Sequence, residues 1–245
     1  MKYGHLIAKI LKKDGVDFVT GFPRNALHEM LAEEGIRLIK FRTERVAINA
    51  ADGFTRSSFC QRHGVSVVQY GPGIENGFGG VAHAYADSVP ILLLPAGYER
   101  NRKIVPNFDA LQNFREITKW VDEVNIADQI PTMFRRAFTY LKNGRPGPIM
   151  LIIPTDIITE EAAGFNENFN YCTVKRSKSQ GDPADIKEAA SALITAKCPV
   201  IRAGGGVLYA NAWDELRELA ELLQIPVFTT MNGKSAFPEN KQLYS

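Results

Sequence analysis

Two kinds of hydrophobic pattern alternate along residues 1–160. Short runs of apolar and β-branched residues predict buried strands, and stretches with apolar side chains every three or four residues predict amphipathic helices. The predicted strands are residues 18–20, 38–41, 65–69, 91–94 and 149–153. Apolar strands separated by helices are typical of a parallel sheet that is covered on both faces. We therefore predict an α/β fold with a parallel sheet flanked by helices on both faces.

The pattern changes after residue 160. Residues 161–183 are mostly polar and have no clear periodicity, which predicts an interdomain linker. A second α/β pattern follows over residues 184–245, with predicted strands at 200–203 and 227–230. Because a two-stranded sheet does not bury both of its faces, we expect this second α/β domain to be incomplete and the chain to be truncated.

Composition and charge exclude several classes of function. The chain has 29 basic and 27 acidic residues, a balance that argues against a nucleic-acid partner. No apolar run approaches the roughly 18 residues that are needed to span a membrane. Cys60, Cys172 and Cys198 are widely spaced and lack metal-ligand spacing, which indicates reduced thiols in a cytoplasmic protein and no metal site in this chain.

Glu44 follows the second predicted strand and lies in the first turn of a predicted helix, with Thr43 as its N-cap. A carboxylate in this position is favoured by the helix dipole, so the local pattern alone favours an ordinary first-turn acid. The functional alternative is a carboxyl group at the carboxyl end of a parallel sheet, where α/β proteins bind ligands. The local pattern leaves both interpretations open.

Two glycine-containing loops follow predicted strands, one at residues 21–25 and one at residues 70–80. Glycine permits positive φ angles and close approach to a flat ligand. The second loop lacks the Gly-x-Gly-x-x-Gly spacing of dinucleotide-binding proteins, and no Gly-Lys-Ser/Thr follows, which excludes a P-loop. A Rossmann-like nicotinamide protein is therefore a weaker hypothesis, which failure to bind NAD would exclude.

The segments around these features resemble a known family. Residues 42–56, RTERVAINAADGFTR, are similar to the part of acetolactate synthase-like thiamine-diphosphate enzymes in which a glutamate precedes an Ala-rich helix. Residues 71–97, GPGIENGFGGVAHAYADSVPILLLPAG, resemble the glycine loop and helix that follow in that family. The resemblance implies an aminopyrimidine-binding domain at residues 1–160, a linker at 161–183 and a partial central domain at 184–245.

The resemblance also assigns roles to individual residues. It implies that Glu44 is catalytic, forming a hydrogen bond to the ring nitrogen N1′ of the cofactor's aminopyrimidine and exchanging a proton with it. It implies that Gln112 lies on the substrate side of the site and that Ala50, Ala51 and Gly53 are packing positions. Further residues are expected to contact the cofactor: Gly21, Pro23, Gly71, Pro72, Gly73 and Asn76. The sequence departs from the family at Arg24, where glycine is usual, and at Tyr70, where serine is usual.

The activity implied is decarboxylation of a 2-keto acid, with release of an aldehyde or carboligation. The site is expected to lie between the subunits of a homodimer or homotetramer. The family's Gly-Asp-Gly and Asn motif for Mg²⁺ and diphosphate is absent, since the one Gly-Asp pair, Gly181-Asp182, precedes Pro183. We therefore expect Mg²⁺ ligands in a missing C-terminal domain and no activity from this chain alone, and FAD binding is left open. The alternative is a truncated, non-catalytic dimerisation or regulatory subunit.

Overall fold

The structure, a computed structural model, describes residues 1–102, 108–166 and 169–244. The chain divides into two compact units, which are described separately below. The first unit comprises Met1–Ser58 and Arg62–Ser177, and the second comprises Phe59–Gln61 and Lys178–Ser245. None of the helices in the described residues is long and apolar enough to cross a membrane.

Helices and strands alternate along both units. The strands are β1 (Phe18–Gly21), β2 (Arg37–Lys40), β3 (Val65–Val68), β4 (Leu92–Gly97), β5 (Trp120–Glu123), β6 (Ile149–Pro154), β7 (Ile201–Ala203) and β8 (Val227–Thr229). The helices are α1 (Tyr3–Lys13), α2 (Leu27–Glu33), α3 (Glu44–Ser57), α4 (Pro72–Ala86), α5 (Ala110–Phe114), α6 (Ile130–Lys142), α7 (Thr155–Thr159), α8 (Pro183–Thr195), α9 (Gly205–Ala210) and α10 (Trp213–Leu223).

The first unit contains a six-stranded sheet in the order β2-β1-β3-β4-β6-β5. Every pair of neighbouring strands in it is parallel. The carboxyl ends of all six strands therefore lie at one edge, where the loops 22–26 and 69–71 and the start of α3 also lie. This edge is the one at which a parallel α/β sheet is expected to bind a ligand.

Both faces of the sheet are covered, as the hydrophobic pattern predicts. Leu92 and Leu94 belong to one buried cluster, which includes residues of α1, α2, α6 and α7. Leu93 belongs to a second cluster, which includes residues of α3, α4 and α5. Successive residues of a strand point to opposite faces, so an apolar run places side chains in both clusters. The predicted fold class is confirmed.

The strand β5 was not predicted from the sequence. It lies at the edge of the sheet and its four residues are all partly exposed, including Asp122 and Glu123. An edge strand with one covered side has no continuous apolar run, so a search for buried strands does not detect it.

Residues 169–177 contain no helix or strand, yet they pack on the first unit. Phe169 and Tyr171 are buried and join the cluster formed by α1, α2 and α6. The Tyr171 hydroxyl donates a hydrogen bond of 2.8 Å to Asp14 Oδ2, and Lys142 Nζ lies 2.7 Å from Asp14 Oδ1. The Asp14 side chain is fully buried, so these two donors compensate the desolvation of its carboxylate.

The second unit contains a parallel pair of strands, β7 and β8. Its small apolar cluster includes Val227 of β8, Leu208 of α9, Ala220 of α10 and Phe237. The helix α8 has no buried residue, and its Ile194 side chain is 69% exposed.

Replacing Tyr171 by Phe is expected to lower the free energy of unfolding by about 1–2 kcal/mol, because buried Asp14 loses a hydrogen-bond donor. Burial, and then the hydrogen bond to Asp14, raises the pKa of Tyr171. The neutral phenol is therefore favoured in the folded state, and stability from this group is lost as the pH rises above about 10. Urea unfolding of Y171F at pH 8 and pH 10.5 measures both effects. The exposed Tyr85→Phe variant is the control, and a Y171F variant as stable as the native chain would contradict this account.

Candidate functional site

Glu44 is the first residue of α3 and lies at the carboxyl edge of the sheet. The Thr43 hydroxyl accepts a hydrogen bond of 3.3 Å from Val46 N–H and so caps the helix. Although it carries a carboxylate, Glu44 is only 6% exposed. A buried carboxylate requires hydrogen-bond donors, and the helix dipole supplies only part of the compensation.

The second helix of the site supplies that donor. Asn76 lies in the first turns of α4, and its Nδ2 donates a hydrogen bond of 2.9 Å to Glu44 Oε2. The other oxygen, Oε1, accepts no side-chain or backbone hydrogen bond among the described residues. A Cβ atom built on Gly73 would lie 3.2 Å from this Oε1 and 2.7 Å from Gln69 Cβ. The absence of a side chain at Gly73 therefore keeps the space beside the Glu44 carboxylate open.

Gly71 precedes α4 and has φ 54° and ψ −120°, a conformation that favours glycine. A Cβ atom on Gly71 would lie 2.6 Å from the Tyr98 hydroxyl oxygen. The rings of Tyr70 and Tyr98 lie 4.7 Å apart, so the tyrosine that replaces the family's serine packs as one wall beside this loop. Pro72 is the first residue of α4, where its fixed φ suits a helix start.

The loop after β1 is held by Asn25. Its buried Nδ2 donates hydrogen bonds to the carbonyls of Val68 (2.8 Å) and Leu94 (3.3 Å), and its Oδ1 accepts one from Leu27 N–H (2.9 Å). The preceding residue, Arg24, has φ 77°. The loop thus retains the left-handed conformation that glycine adopts easily, at a cost of about 1–2 kcal/mol for a residue with a side chain.

Gly21 and Pro23 lie in the same region but have different surroundings. Gly21 ends β1, and a Cβ atom there would lie 2.7 Å from the Val67 carbonyl and 2.9 Å from His28 Nε2. Pro23 is exposed and lines a cavity of about 520 Å³ at the carboxyl ends of β1 and β2. Neither residue forms a hydrogen bond with Glu44. Of the predicted site residues, Gly73 and Asn76 are the ones that the structure places directly beside the Glu44 carboxylate.

Arg56 braces the opposite ends of α3 and α4. It donates from Nε to Asp52 Oδ2 (2.7 Å) on its own helix and from Nη1 to Asp87 Oδ2 (2.8 Å) just after α4. Between this brace and the Asn76–Glu44 hydrogen bond, a Cβ atom on Gly80 would lie 3.0 Å from Asn49 Oδ1. The two helices are therefore linked at both ends and packed closely between them.

A second group of residues lines a cavity of about 230 Å³ beside Gly71. Tyr98 and Glu123 contribute to its wall, and sequence analysis singled out neither of them. Burial, and then the negative charges of Asp109 and Asp122, raises the pKa of Glu123. Glu123 lies on β5, an edge strand that the hydrophobic pattern does not reveal. A single acidic residue on such a strand is not detected by a search for motifs.

Two predicted positions lie apart from this arrangement. Gln112 is on the exposed side of α5 and does not line the cavity beside Gly71. Gly53 was expected to allow close packing, and that prediction is wrong. The residue is exposed, and a Cβ atom there would meet nothing within 4 Å, while Ala51 is buried.

No group of three or more His, Cys, Asp or Glu side chains in the described part of the chain is placed to hold a metal ion. Chemically, the arrangement offers one carboxylate with an amide donor on one oxygen and open space beside the other. Such a group accepts a hydrogen bond from a ligand N–H or exchanges a proton with it.

Two family models match the chain. The model described as thiamine pyrophosphate enzyme, N-terminal TPP binding domain, matches residues 1–117, and the model described as thiamine pyrophosphate enzyme, central domain, matches residues 186–245. The chain belongs to the thiamine pyrophosphate enzyme family. The matched residues include Glu44, both glycine loops and the strands of the second unit.

Relatives in this family have similar sequences along nearly the whole chain. A protein of Methanocaldococcus jannaschii named "Probable acetolactate synthase large subunit" is 37% identical, over 99% of this chain and 42% of its own length. "Acetolactate synthase isozyme 3 large subunit" of Escherichia coli is 31% identical, over 95% of this chain and 42% of its own length. The chain therefore spans less than half the length of the thiamine pyrophosphate enzymes that it matches.

A solved structure described as "X-ray structure of a putative thiamin diphosphate-dependent enzyme isolated from Mycobacterium smegmatis" has the same fold. Its TM-score is 0.86 and its sequence identity 25%, over 100% of this chain and 48% of that chain. The α/β fold and the resemblance that the sequence motifs indicated are thus confirmed.

Replacing Arg56 by Met is expected to lower the free energy of unfolding of the first unit by about 2 kcal/mol, because Asp52 is left without its charged partner. The Asp52 side chain is only 7% exposed, so water replaces the lost hydrogen bonds poorly. Amide hydrogen exchange of α3 and α4 in R56M measures the loss locally. The Arg115→Met variant removes an exposed cation and is expected to change exchange little. Equal protection in R56M and the native chain would show that the brace adds no stability.

Proposed function

We propose that residues 1–160 are the aminopyrimidine-binding domain of an acetolactate synthase-like thiamine-diphosphate enzyme, with 161–183 as a linker and 184–245 as part of the central domain. The observation that carries the proposal is the buried Glu44 carboxylate at the carboxyl edge of the sheet, with Asn76 on one oxygen and the space beside Gly73 at the other. Membership of the thiamine pyrophosphate enzyme family indicates which cofactor would bind. The geometry indicates that the Glu44 carboxylate would act on it.

The residues present fit an aminopyrimidine ring. This ring is flat and carries a nitrogen that exchanges a proton with a carboxyl group, and the open side of Glu44 Oε1 is bounded by glycine. A methyl group at Gly73 would narrow that space, since its carbon would lie 3.2 Å from Oε1. The backbone of Gly71, Pro72 and Gly73 and the loop containing Gly21 and Pro23 would form the walls.

Each of these residues has a distinct task in the proposal. Glu44 holds a proton at Oε1 and shares it with the ring nitrogen N1′. Asn76 donates a hydrogen bond to Oε2 and so fixes the orientation of the Glu44 carboxyl group. Thiamine diphosphate supplies, when bound, the carbon nucleophile that adds to the keto group. The protein's own part is therefore to position the carboxyl group and exclude water around it.

The proposal includes parts that lie outside this chain. The substrate would be a 2-keto acid, and Mg²⁺ with the diphosphate would be held by residues from another domain or subunit. A homodimer or homotetramer would bring that half to Glu44, and Gln112, which is exposed here, would face the substrate only in such an assembly. A cytoplasmic location suits three cysteines that form no disulfide. FAD is not part of the proposal.

We expect thiamine diphosphate to bind the isolated chain and to shift the amide NMR signals of Gly71, Gly73 and Asn76. The dissociation constant of Glu44→Gln is expected to rise about tenfold, because a glutamine amide cannot share a proton between its oxygen and the ring nitrogen N1′ as a carboxyl group does. Titration of labelled protein measures both quantities.

Two glycine variants provide the matched pair for this test. Gly73→Ala is expected to weaken binding, since its methyl group enters the space beside Glu44. Gly53→Ala is expected to bind normally and to gain up to about 1 kcal/mol in stability, because it lies in an exposed part of α3. If the native chain and E44Q bound equally, or if G73A and G53A behaved alike, the proposed cofactor site would be wrong.

A further inference from the structure

The cavity of about 520 Å³ at the carboxyl ends of β1 and β2 has a distinctive lining. His28 and Leu38 line it and pack closely around Gly21, where a Cβ atom would lie 2.9 Å from His28 Nε2 and 3.0 Å from Leu38 Cδ1. The loop after β1 forms one wall, and Tyr70 and Thr155 complete the lining. Every one of these residues belongs to the first unit.

Two cations face this cavity from separate elements. Lys40 ends β2 and is paired in register with Gly21, and Arg24 follows three residues after Gly21 in the loop. Neither side chain forms an ion pair or a hydrogen bond with any described residue. The acid among the described lining residues is Glu29, and it pairs with neither of them, so the cavity has a net positive charge.

His28 contributes a polar but uncharged group. Its Nε2 lies 3.2 Å from the Val67 carbonyl, which orients the ring. Burial lowers the pKa of His28, the hydrogen bond to Val67 opposes that shift, and the charge of Lys40 lowers it further, with a net decrease. The ring is therefore neutral at pH 7, and the charge of the cavity comes from Arg24 and Lys40.

The backbone conformation of Arg24 is a second observation, independent of the charges, that supports a ligand site at this cavity. Its φ of 77° is one that glycine adopts without strain, and the adjacent Asn25 fixes it through three hydrogen bonds. A strained residue that persists where glycine would fit points to a use for its side chain. The rigid loop also fixes the Cα from which the guanidinium group reaches the cavity.

We propose that this cavity binds a small oxyanion, a carboxylate or a phosphate-type group, held between Arg24 and Lys40. Arginine presents a planar set of N–H donors that matches two oxygens of such a group, and lysine adds a point charge. The cavity shares Pro23 and Tyr70 with the edge at which Glu44 lies, so a bound anion would lie on the ligand side of the sheet. The proposal does not require thiamine diphosphate.

Titration of the chain with inorganic phosphate, and separately with malonate, tests this site in the absence of cofactor. Chloride at matched ionic strength is the reference, and the NMR signals of Arg24, His28 and Lys40 report binding. Saturable shifts are expected for at least one anion, and the tighter of the two assigns the ligand as phosphate-type or carboxylate. Failure of both to bind more tightly than chloride would overturn the proposal.

Four variants locate the site. Arg24→Gly and Lys40→Gln are each expected to weaken binding about tenfold. Glu29→Gln is expected to strengthen it, because an acid on the wall is removed. Arg37→Gln removes one charge at the opposite end of β2 and is expected to change binding less than about twofold.

The glycine variant also separates binding from folding. R24G relieves the positive φ and is expected to unfold at a higher temperature than the native chain while binding the anion less well. An R24G variant that binds as well as the native chain, or an R37Q variant that loses as much affinity as K40Q, would show that the anion is held only by general surface charge.

Discussion

The close packing of α3 against α4 determines where the Glu44 carboxylate lies. The two helices start at the same edge of the sheet, and glycines at positions 73 and 80 leave space for the facing residues of α3. This approach brings the Asn76 amide within 2.9 Å of Glu44, while Arg56 joins the far ends. With larger side chains at the glycine positions the helices would separate, and a buried carboxylate would lose its donor.

The same constraint explains how a buried acid is compatible with a stable fold. Burial of a carboxylate is unfavourable unless donors replace water, and here one oxygen has a fixed donor while the other faces open space. Glu44 Oε1 therefore lacks a hydrogen bond from any described residue, and a ligand ring nitrogen that shares a proton with Oε1 would supply it. The neighbouring cavity at Arg24 and Lys40 has the opposite charge, so the one edge of the sheet offers both an acceptor and a cationic pocket.

The sequence predicts the parts of this structure that arise from local pattern, and it misses those that depend on distant partners. The buried strands and the N-cap of α3 follow from periodicity and residue type. The strand β5 and the exposed position of Gly53 do not, because an edge strand lacks an apolar run and a glycine in a helix gives no sign of its surroundings. Asp87, the partner of Arg56 beyond its own helix, lies 31 residues away in the sequence. Nothing local shows that Arg24 has a positive φ, because Asn25 enforces it through hydrogen bonds to β3 and β4.

The exchange of the C2 proton of thiamine diphosphate for deuterium measures the proposed role of Glu44 most directly. The experiment uses a protein in which residues 1–245 replace the equivalent segment of a full-length acetolactate synthase relative, so that the diphosphate half is present. With the cofactor saturating, Glu44→Gln is expected to slow the exchange about 100-fold or more, as for loss of a general acid–base group. Exchange in E44Q at the rate of the unsubstituted protein would contradict the account.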